Sequence, residues 1–265
     1  SLLKRGESLP QNIDRLFFAK DAKLKNEYRE MFASLFKNPA PYLDVLTILC
    51  DKKSGLTREK LAESPKFEND GTLTKILDEL DECGFIRRYH KIGQEKKDAL
   101  YQIIDNFVLF HFSFLANKKK TDANFWSKSS NKPLLNSWYG LAFERLCLQH
   151  IEQIKNALGI SGILTDVASW NTKPQKSKKG AQIDLIIDRD DGVIDICEMK
   201  YSKGKFSISK TDYDNIKNKK DVFEHSIKTR KAVQTVLVTS YGSLHNKYYN
   251  ELVQNEVVLD DLFKL

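Results

Sequence analysis

Two carboxylates and a lysine occur at spacings that would bring them together in a β-hairpin. The segment around Asp184 alternates in hydrophobicity as a strand does, and so does the segment that contains Glu198 and Lys200. Because side chains alternate between the faces of a strand, Glu198 and Lys200 share one face. Close carboxylates repel each other unless a cation lies between them, and Mg²⁺ or Mn²⁺ takes such oxygen ligands. The spacing predicts a metal site for phosphodiester hydrolysis, with Lys200 orienting a water and offsetting phosphate charge.

The loop between the two strands decides how they pair. Residues 190–192 form a turn signal that ends in Gly192, and a three-residue hairpin loop favours glycine at its third position. With this loop, Asp184 faces Glu198 with β-carbons about 4.5 to 5.5 Å apart. A two-residue loop would instead pair Asp184 with Met199.

A third carboxylate, Glu144, lies on a predicted helix that precedes the strands. Helical spacing places Glu144 within an apolar stripe that includes Phe143 and Cys147 and continues to Leu158. A carboxylate on a core-facing stripe costs free energy unless it is paired or bound to a metal. Gly140, one turn earlier, is expected to let the helix backbone approach the sheet closely despite a helix penalty of about 1 kcal/mol.

The same carboxylates have a second interpretation, as solvent-facing residues of an ordinary hairpin. Lys200 would then form a cross-strand ion pair worth about 0.2 to 1 kcal/mol. Against this interpretation, three isoleucines share the carboxylate face, namely Ile186, Ile194 and Ile196. Buried acids without a role are uncommon, so the pattern favours a face that a helix covers.

The order helix with Glu144, strand, strand with Asp184, and strand with Glu198 and Lys200 resembles the PD-(D/E)XK nuclease superfamily. The resemblance implies four catalytic residues, Asp184, Glu198, Lys200 and Glu144. The three acids among them would be the metal ligands, with Glu144 in an auxiliary place. Glutamine and isoleucine precede the aspartate where the family's name has proline. A restriction-endonuclease-like α/β domain with a mixed central sheet is therefore expected over residues 137–265.

Further segments resemble the C-terminal part of bacterial and archaeal AAA-type ATPases that carry a winged helix and a nuclease-like domain. They are Gln11–Phe18, Gly71-Thr72-Leu73, Gly84-Phe85-Ile86 and Asp105-Asn106-Phe107. The resemblance implies a helical segment left from an ATPase lid (1–38), a winged helix (39–117) and a basic polar linker (118–136). Gly204-Lys205 is the only Gly-Lys pair and lacks the P-loop glycine, so ATP is expected only in an upstream ATPase domain absent from this chain. Since the sequence begins with Ser1, we expect an excised fragment.

The winged-helix prediction has its own support in the sequence. Three apolar stripes are followed by two short strands around a charged tip, and Thr57 is placed to cap the second helix. The third helix presents four acids outside its stripe, namely Asp78, Glu79, Asp81 and Glu82. Because acids oppose contact with phosphates, a scaffold or lid role is favoured over sequence-specific DNA reading.

Composition sets the remaining limits. The 265 residues contain 43 basic and 36 acidic side chains, and the formal charge of +7 favours an anionic partner such as nucleic acid. Four cysteines without a CxxC pair indicate neither zinc nor a disulfide framework, which fits the cytoplasm. No signal peptide or long apolar stretch is present, so no membrane partner is expected. Aromatic residues near Phe17 and Phe18 predict exposed surface that would allow homo-oligomer contacts.

Clustered lysines predict where nucleic acid would bind. Four of them precede the Asp184 strand and could contact phosphates beside the cut site, namely Lys173, Lys176, Lys178 and Lys179. A solvated loop is the alternative interpretation. Lysines of a later predicted helix, among them Lys219, are interpreted as solvated rather than as part of a groove.

Two hypotheses follow from the sequence. In the first, the chain is the C-terminal region of an AAA-type ATPase and acts as a magnesium-dependent nuclease. In the second, its nuclease fold is inactive, and the chain binds nucleic acid or protein and regulates the upstream ATPase domain.

Overall fold

A computed structural model of the chain describes residues 2–67, 71–93, 99–116, 122–174 and 180–264. The protein is mixed α/β, and its largest sheet is mixed and has eight strands. The chain divides into two compact units, one made of Ser1–Arg88 and Leu100–Leu141 and the other of Tyr89–Ala99 and Ala142–Leu265. Among the described residues, no helix is both long enough and apolar enough to cross a bilayer.

The first unit is mainly helical. Its helices are α1 (Leu9–Ile13, continuing as a π-helix over Asp14–Phe18), α2 (Glu27–Leu35), α3 (Ala40–Leu49), α4 (Arg58–Ala62), α5 (Gly71–Glu82), α6 (Asn106–Phe110, continuing as a π-helix over His111–Leu115) and α7 (Phe125–Ser129). Its strands are β1 (Leu56–Thr57), β3 (Leu100–Ile103) and the beginning of β2 (Ile86–Lys91). The helices α3, α4 and α5 followed by the β2–β3 hairpin occur in the predicted order.

Apolar stripes and a cap position these three helices as the sequence predicted. The Thr57 side chain accepts a hydrogen bond from the Lys60 backbone N–H at 3.4 Å and so caps the start of α4. Of the predicted stripe residues of α3, Val45, Leu46 and Leu49 are buried and Tyr42 is half-buried. The stripe residues of α5 are all buried, namely Leu73, Ile76, Leu77 and Leu80, and Leu61 of α4 has no exposed surface. The winged-helix assignment itself stays a prediction.

The N-terminal segment is packed into the first unit. The Phe18 ring is 6% exposed and lies 5.3 Å from the Phe125 ring and 6.2 Å from the Trp126 ring, measured between centroids. The buried Asp14 carboxylate accepts hydrogen bonds from the backbone N–H groups of Trp126 (2.7 Å) and Ser127 (2.9 Å). The expectation of exposed aromatic surface is therefore wrong for Phe18, because α7 of the same unit covers it.

The second unit contains most of the sheet. Its elements are the end of β2, the end of α8 (Pro133–Gln149), α9 (Ile151–Ala157), β4 (Thr165–Thr172), β5 (Ala181–Arg189), β6 (Val193–Lys200), β7 (Phe206–Ser207), α10 (Lys210–Ile227), β8 (Ala232–Thr239), β9 (Ser243–Leu244), α11 (Lys247–Leu252), β10 (Asn255–Val258) and a 3₁₀ turn (Leu259–Phe263). Within this unit the strand order is β2-β4-β5-β6-β8-β10. The β4–β5 and β5–β6 pairs are antiparallel, and the β2–β4, β6–β8 and β8–β10 pairs are parallel.

The hairpin between β5 and β6 has the predicted register. Leu185 pairs with Cys197 and Ile186 with Ile196, and the loop between the strands consists of residues 190–192. Gly192 has φ +87°, which is the left-handed conformation that a three-residue hairpin loop requires at its third position. The alternative two-residue loop is excluded by this pairing.

A β-bulge interrupts β5 at the predicted aspartate. On the β4 side Ala168 pairs with Ile186 and Trp170 pairs with Ile183, so β5 has one more residue than β4 in this interval. Ile183 and Ile186 both belong to the core cluster that contains Phe223 of α10. Asp184, between them, therefore does not follow the regular alternation that places Glu198 on the α10 face.

The helix that carries Glu144 differs from the prediction in two respects. It ends at Gln149, and His150 (φ −117°, ψ 36°) separates it from α9, so one continuous helix to Leu158 is not formed. A β-carbon added at Gly140 would meet no atom within 4 Å. Close approach of the helix backbone is therefore not the reason for glycine at this position.

We predict that Gly140→Ala stabilises the protein. Alanine loses less backbone entropy on folding than glycine, and the space at Gly140 accepts a methyl group, so the free energy of unfolding should rise by about 0.5 to 1 kcal/mol. Urea unfolding followed by circular dichroism measures the change. Gly192→Ala is the matched control and should destabilise the protein by about 1 to 2 kcal/mol, because its left-handed conformation disfavours a β-carbon. Equal effects of the two substitutions would contradict this account.

Candidate active site

A buried carboxylate held by two lysines lies where β6 ends. Glu198 is 9% exposed, and its Oε1 lies 3.0 Å from Nζ of Lys200. Its Oε2 accepts a hydrogen bond from Nζ of Lys219 on α10 at 2.7 Å. Both lysine side chains are partly exposed, by 31% for Lys200 and 24% for Lys219. We call Glu198, Lys200 and Lys219 the lysine–glutamate cluster.

Strand alternation and helix packing bring these three side chains together. Ile194 and Ile196 lie in the core cluster that contains Phe223 of α10, and the period of two places Glu198 and Lys200 on that same face of β6. Lys219 is one helical turn before Phe223, so it projects from the side of α10 that faces the sheet. The predicted cover of the carboxylate face by a helix is thus present, and the helix is α10.

The end of β6 is also tied to the end of β8. The Ser202 backbone N–H donates to Oγ of Ser240 at 2.9 Å, and the Ser240 hydroxyl donates to the Ser202 carbonyl at 2.7 Å. Lys200 pairs with Thr239 in the parallel β6–β8 ladder. These bonds hold the end of β6 against β8, so Glu198 and Lys200 project from fixed backbone.

The cluster is charged and has an excess of positive charge. Burial would raise the pKa of Glu198, but the neighbouring charges of Lys219 and Lys200 outweigh burial and hold the pKa below its ordinary value. Burial would lower the pKa of Lys200, and the Glu198 carboxylate outweighs it and raises the pKa. Each ammonium group has three donors and uses only one on Glu198. The cluster can therefore donate further hydrogen bonds to an anion.

The other two predicted carboxylates have different partners. Asp184 accepts a hydrogen bond from Nε2 of Gln182 at 2.6 Å. Glu144 forms an ion pair with Nη1 of Arg145 at 2.8 Å, and Arg145 is only 3% exposed. The structure thus brings Glu198 and Lys200 together and engages Asp184 and Glu144 with neighbours of their own.

This arrangement does not fit a divalent cation. Both oxygens of Glu198 are engaged by ammonium groups, and Lys219 occupies the position beside Oε2 that a cation would need. In the part of the chain that the structure describes, no three residues among histidine, cysteine, aspartate and glutamate are placed to hold a metal ion. The metal role predicted for Asp184, Glu198 and Glu144 stays a prediction that would require a rearrangement.

Basic residues extend along the same edge of the sheet. Since β2, β4 and β6 run in one direction, their carboxyl ends share an edge, where Lys91, Lys173 and Lys200 lie. Lys91 and Lys173 line a pocket of 390 Å³ together with Trp170. Lys173 is exposed. The other three lysines of its predicted group, Lys176, Lys178 and Lys179, lie outside the described residues.

Sequence reasoning missed the role of Lys219. Ile216 and Phe223 of α10 are buried, and Lys219 follows the first by three residues and precedes the second by four. These spacings place Lys219 on the buried side of the helix, so the signal was present in the amphipathic pattern. The buried Arg145 was also missed, although it directly follows the carboxylate whose burial needed compensation.

Comparison with known proteins does not show a family. No protein-family model matches the chain, and no curated protein matches it. Among solved structures the chain is similar to the crystal structure of protein VC1899 from Vibrio cholerae, with 14% sequence identity and a TM-score of 0.30. The match covers 97% of this chain and 54% of that chain, so this chain spans about half the length of the protein it matches. A likeness of this degree carries no functional argument.

We predict a pH-dependent loss of stability in Glu198→Gln. The substitution leaves two ammonium groups without their carboxylate and should cost on the order of 2 kcal/mol at neutral pH. The folded-state pKa of Glu198 lies below its ordinary value of 4.5, so its contribution is complete above that pH and is lost as the pH falls through the lowered pKa. Urea unfolding of both proteins from pH 7 to pH 3 should show the difference shrinking toward acid.

Asp221→Asn is the control for this measurement, since Asp221 is an exposed acid of the same helix, α10. It should change stability little at any of these pH values. A Glu198→Gln difference that stays constant down to pH 3 would contradict the coupling described here.

Proposed function

We propose that the second unit binds nucleic acid at the carboxyl end of its sheet and hydrolyses phosphodiesters there. In this proposal the chain is the C-terminal region of an AAA-type ATPase, and the second unit is its PD-(D/E)XK-like domain. The observation that carries the proposal is the pair Glu198 and Lys200, which share the helix-covered face of β6 beside a hairpin with the predicted register.

The charges at this edge support contact with phosphate. Lys200 and Lys219 retain donors that Glu198 does not use, and both ammonium groups are partly exposed. Lys91 and Lys173 extend the positive charge along the edge beside Trp170. A phosphate chain that followed this edge would meet lysines at successive strand ends, which is the pattern of a backbone-binding surface.

Within the proposal, Lys200 binds the phosphate under attack and offsets the charge that develops on it. Magnesium or manganese is the cofactor that the family resemblance implies. Glu198 is the carboxylate that would hold such an ion, which would supply charge stabilisation at the phosphate, but with both its oxygens on lysines the residues present do not fit it.

The first unit fits the proposal as a winged-helix scaffold and a contact for the upstream ATPase domain, where ATP would bind. The acidic residues of α5 support a scaffold role. Asp78, Asp81 and Glu82 are exposed on this helix, and the partly buried Glu79 accepts a hydrogen bond from the Tyr42 hydroxyl. An exposed acidic helix would repel the phosphates of a major groove.

The proposal predicts cleavage that depends on Lys200 and Glu198. DNA and RNA substrates, single-stranded and double-stranded, would be incubated with the full chain and Mg²⁺ or Mn²⁺, and products would be resolved on a gel. Lys200→Met should lower the rate by about 100-fold or more, which is the typical cost of removing one group that stabilises developing charge. Asp184→Ala and Glu144→Gln test the two carboxylates that lie outside the cluster.

Lys220→Met is the control, because it removes the same charge from a lysine of α10 that lies outside the lysine–glutamate cluster. It should cut like the wild type. Equal cleavage by the wild type and Lys200→Met, or none by either with every substrate, would reject the nuclease proposal.

A second candidate function is supported by the neutralised Glu198. With both carboxylate oxygens occupied by lysines, the unit would bind nucleic acid without cutting it and would regulate the upstream ATPase. If this candidate is correct, the protein should bind nucleic acid with the same affinity in EDTA as in Mg²⁺. It should cleave none of the substrates.

Both candidates predict that Lys173 contacts phosphate. Lys173→Gln should weaken binding to all sequences alike and should reduce the slope of log affinity against log salt by about one. Fluorescence anisotropy with a labelled oligonucleotide at several salt concentrations measures the slope. Lys155→Gln is a suitable comparison, since Lys155 is a lysine of α9 in an ion pair with Glu152 (2.7 Å). An unchanged slope in Lys173→Gln would remove Lys173 from the proposed surface.

A further inference from the structure

We infer that the first unit contains a binding pocket for single-stranded nucleic acid, apart from the candidate site of the second unit. The pocket has a volume of about 780 Å³, and the described residues that line it all belong to the first unit. This volume lies within the range of about 300 to 1,000 Å³ that is usual for ligand sites. The inference does not rest on the proposed hydrolysis, because it concerns other residues and needs neither cleavage nor a metal ion.

Two π-helical segments form part of the pocket wall. The segment Asp14–Phe18 contributes Phe17, and the segment His111–Leu115 contributes His111 and Phe112. Turns of π-helix are rare in proteins and occur frequently at functional sites. Because two of them line the same pocket, the pocket is a better candidate for a binding site than its volume alone would make it.

The charged side chains of the pocket wall are cations. Lys20, Lys25 and Arg29 line the pocket and are exposed, and no aspartate or glutamate is among the described residues that line it. In the described part of the chain, none of these three cations forms an ion pair with a carboxylate. The acidic helix α5 contributes no described residue to the wall. The pocket therefore favours an anionic ligand, and three cations match several phosphodiester groups of one strand.

Aromatic rings form another part of the wall. The Tyr28 ring stacks on the His111 imidazole, with 3.8 Å between the ring centroids and 7° between the planes. Phe17 and Phe112 are half-buried, so part of each side chain stays accessible. Unpaired bases stack on such rings, whereas the bases of a duplex are stacked on each other. Cations beside aromatic rings thus favour a single strand over a duplex and over an anion without bases.

The first test measures how many phosphates the pocket contacts. A fluorescent oligothymidylate is bound to the full chain in EDTA, and anisotropy gives the affinity at several salt concentrations. Lys25→Gln should reduce the slope of log affinity against log salt by about 0.7, which corresponds to one phosphate of a single strand. Arg29→Gln repeats the test at a second cation. Lys23→Gln is the matched control and should leave the slope unchanged, because Lys23 is an exposed lysine of the same loop that does not line the pocket.

The second test asks whether the bases contribute. An abasic strand of the same length should bind about fivefold more weakly or worse, since it cannot stack on the rings. The same comparison is made in a chain that carries Lys173→Gln and Lys200→Met, in which the candidate site of the second unit has lost two of its lysines. The difference between the two strands should persist in that variant.

A photochemical cross-link locates the bound base. An oligonucleotide that contains 5-iodouracil is irradiated in complex with the full chain, and the cross-linked peptides are identified by mass spectrometry. We expect cross-links to peptides that contain Tyr28 or Phe112. Phe112→Leu should reduce cross-linking at the pocket while circular dichroism shows that the chain is folded.

Four results would overturn the inference. They are equal salt slopes in Lys25→Gln and Lys23→Gln, equal affinity for the abasic strand and the oligothymidylate, cross-links confined to the second unit, and displacement of the strand by an equal concentration of polyglutamate. The last result would assign the pocket to an acidic protein segment. Binding at the pocket without cleavage of any substrate would uphold the inference and reject the nuclease, and cleavage without cross-links at the pocket would do the reverse.

Discussion

The second unit depends on how one buried carboxylate is neutralised. Removing Glu198 from water costs several kcal/mol unless opposite charges and hydrogen bonds replace the lost hydration. The Lys200 ammonium group compensates for the lost hydration from the same strand, and the Lys219 ammonium group does so from α10. The ion pair with Lys219 therefore joins α10 to β6 electrostatically, beside the apolar contacts that Phe223 makes with the same face. The position of α10 and the charge of the site therefore depend on each other, because the same ion pair determines both.

The other carboxylates near the core show that the charge of a buried acid can be neutralised in more than one way. The sequence could state only that Glu144 needed a partner or a metal, and the structure supplies Arg145. A charged residue on an apolar stripe thus indicates that its charge is neutralised, but not whether another side chain or a metal ion neutralises it. Glu144 pairs with Arg145 on α8, and Glu198 pairs with its two lysines on β6 and α10. What the sequence could not specify is which cation each carboxylate faces.

Local periodicity explains which parts of the fold were predictable. The loop that ends in Gly192 fixed the hairpin register, and the period of two put Glu198 and Lys200 on one face, both as observed. The bulge near Asp184 was not predictable, because the apolar run Leu185, Ile186 and Ile187 that follows Asp184 fits either face of the strand. The break at His150 was hidden in the same way, since the apolar stripe continues across it.

The two candidate functions differ in what the cluster would do with a phosphate group. The cluster has two ammonium groups for one carboxylate, so its unused donors suit the binding of a phosphate without hydrolysis. Hydrolysis would need a metal ion as well, and Glu198 with both oxygens on lysines does not fit one. A nucleic-acid phosphate near the cluster would attract the Lys219 ammonium and so weaken its hold on Glu198. Phosphate binding and the neutralisation of Glu198 would thus compete for Lys219, because one lysine cannot neutralise the carboxylate and the phosphate equally well at the same time.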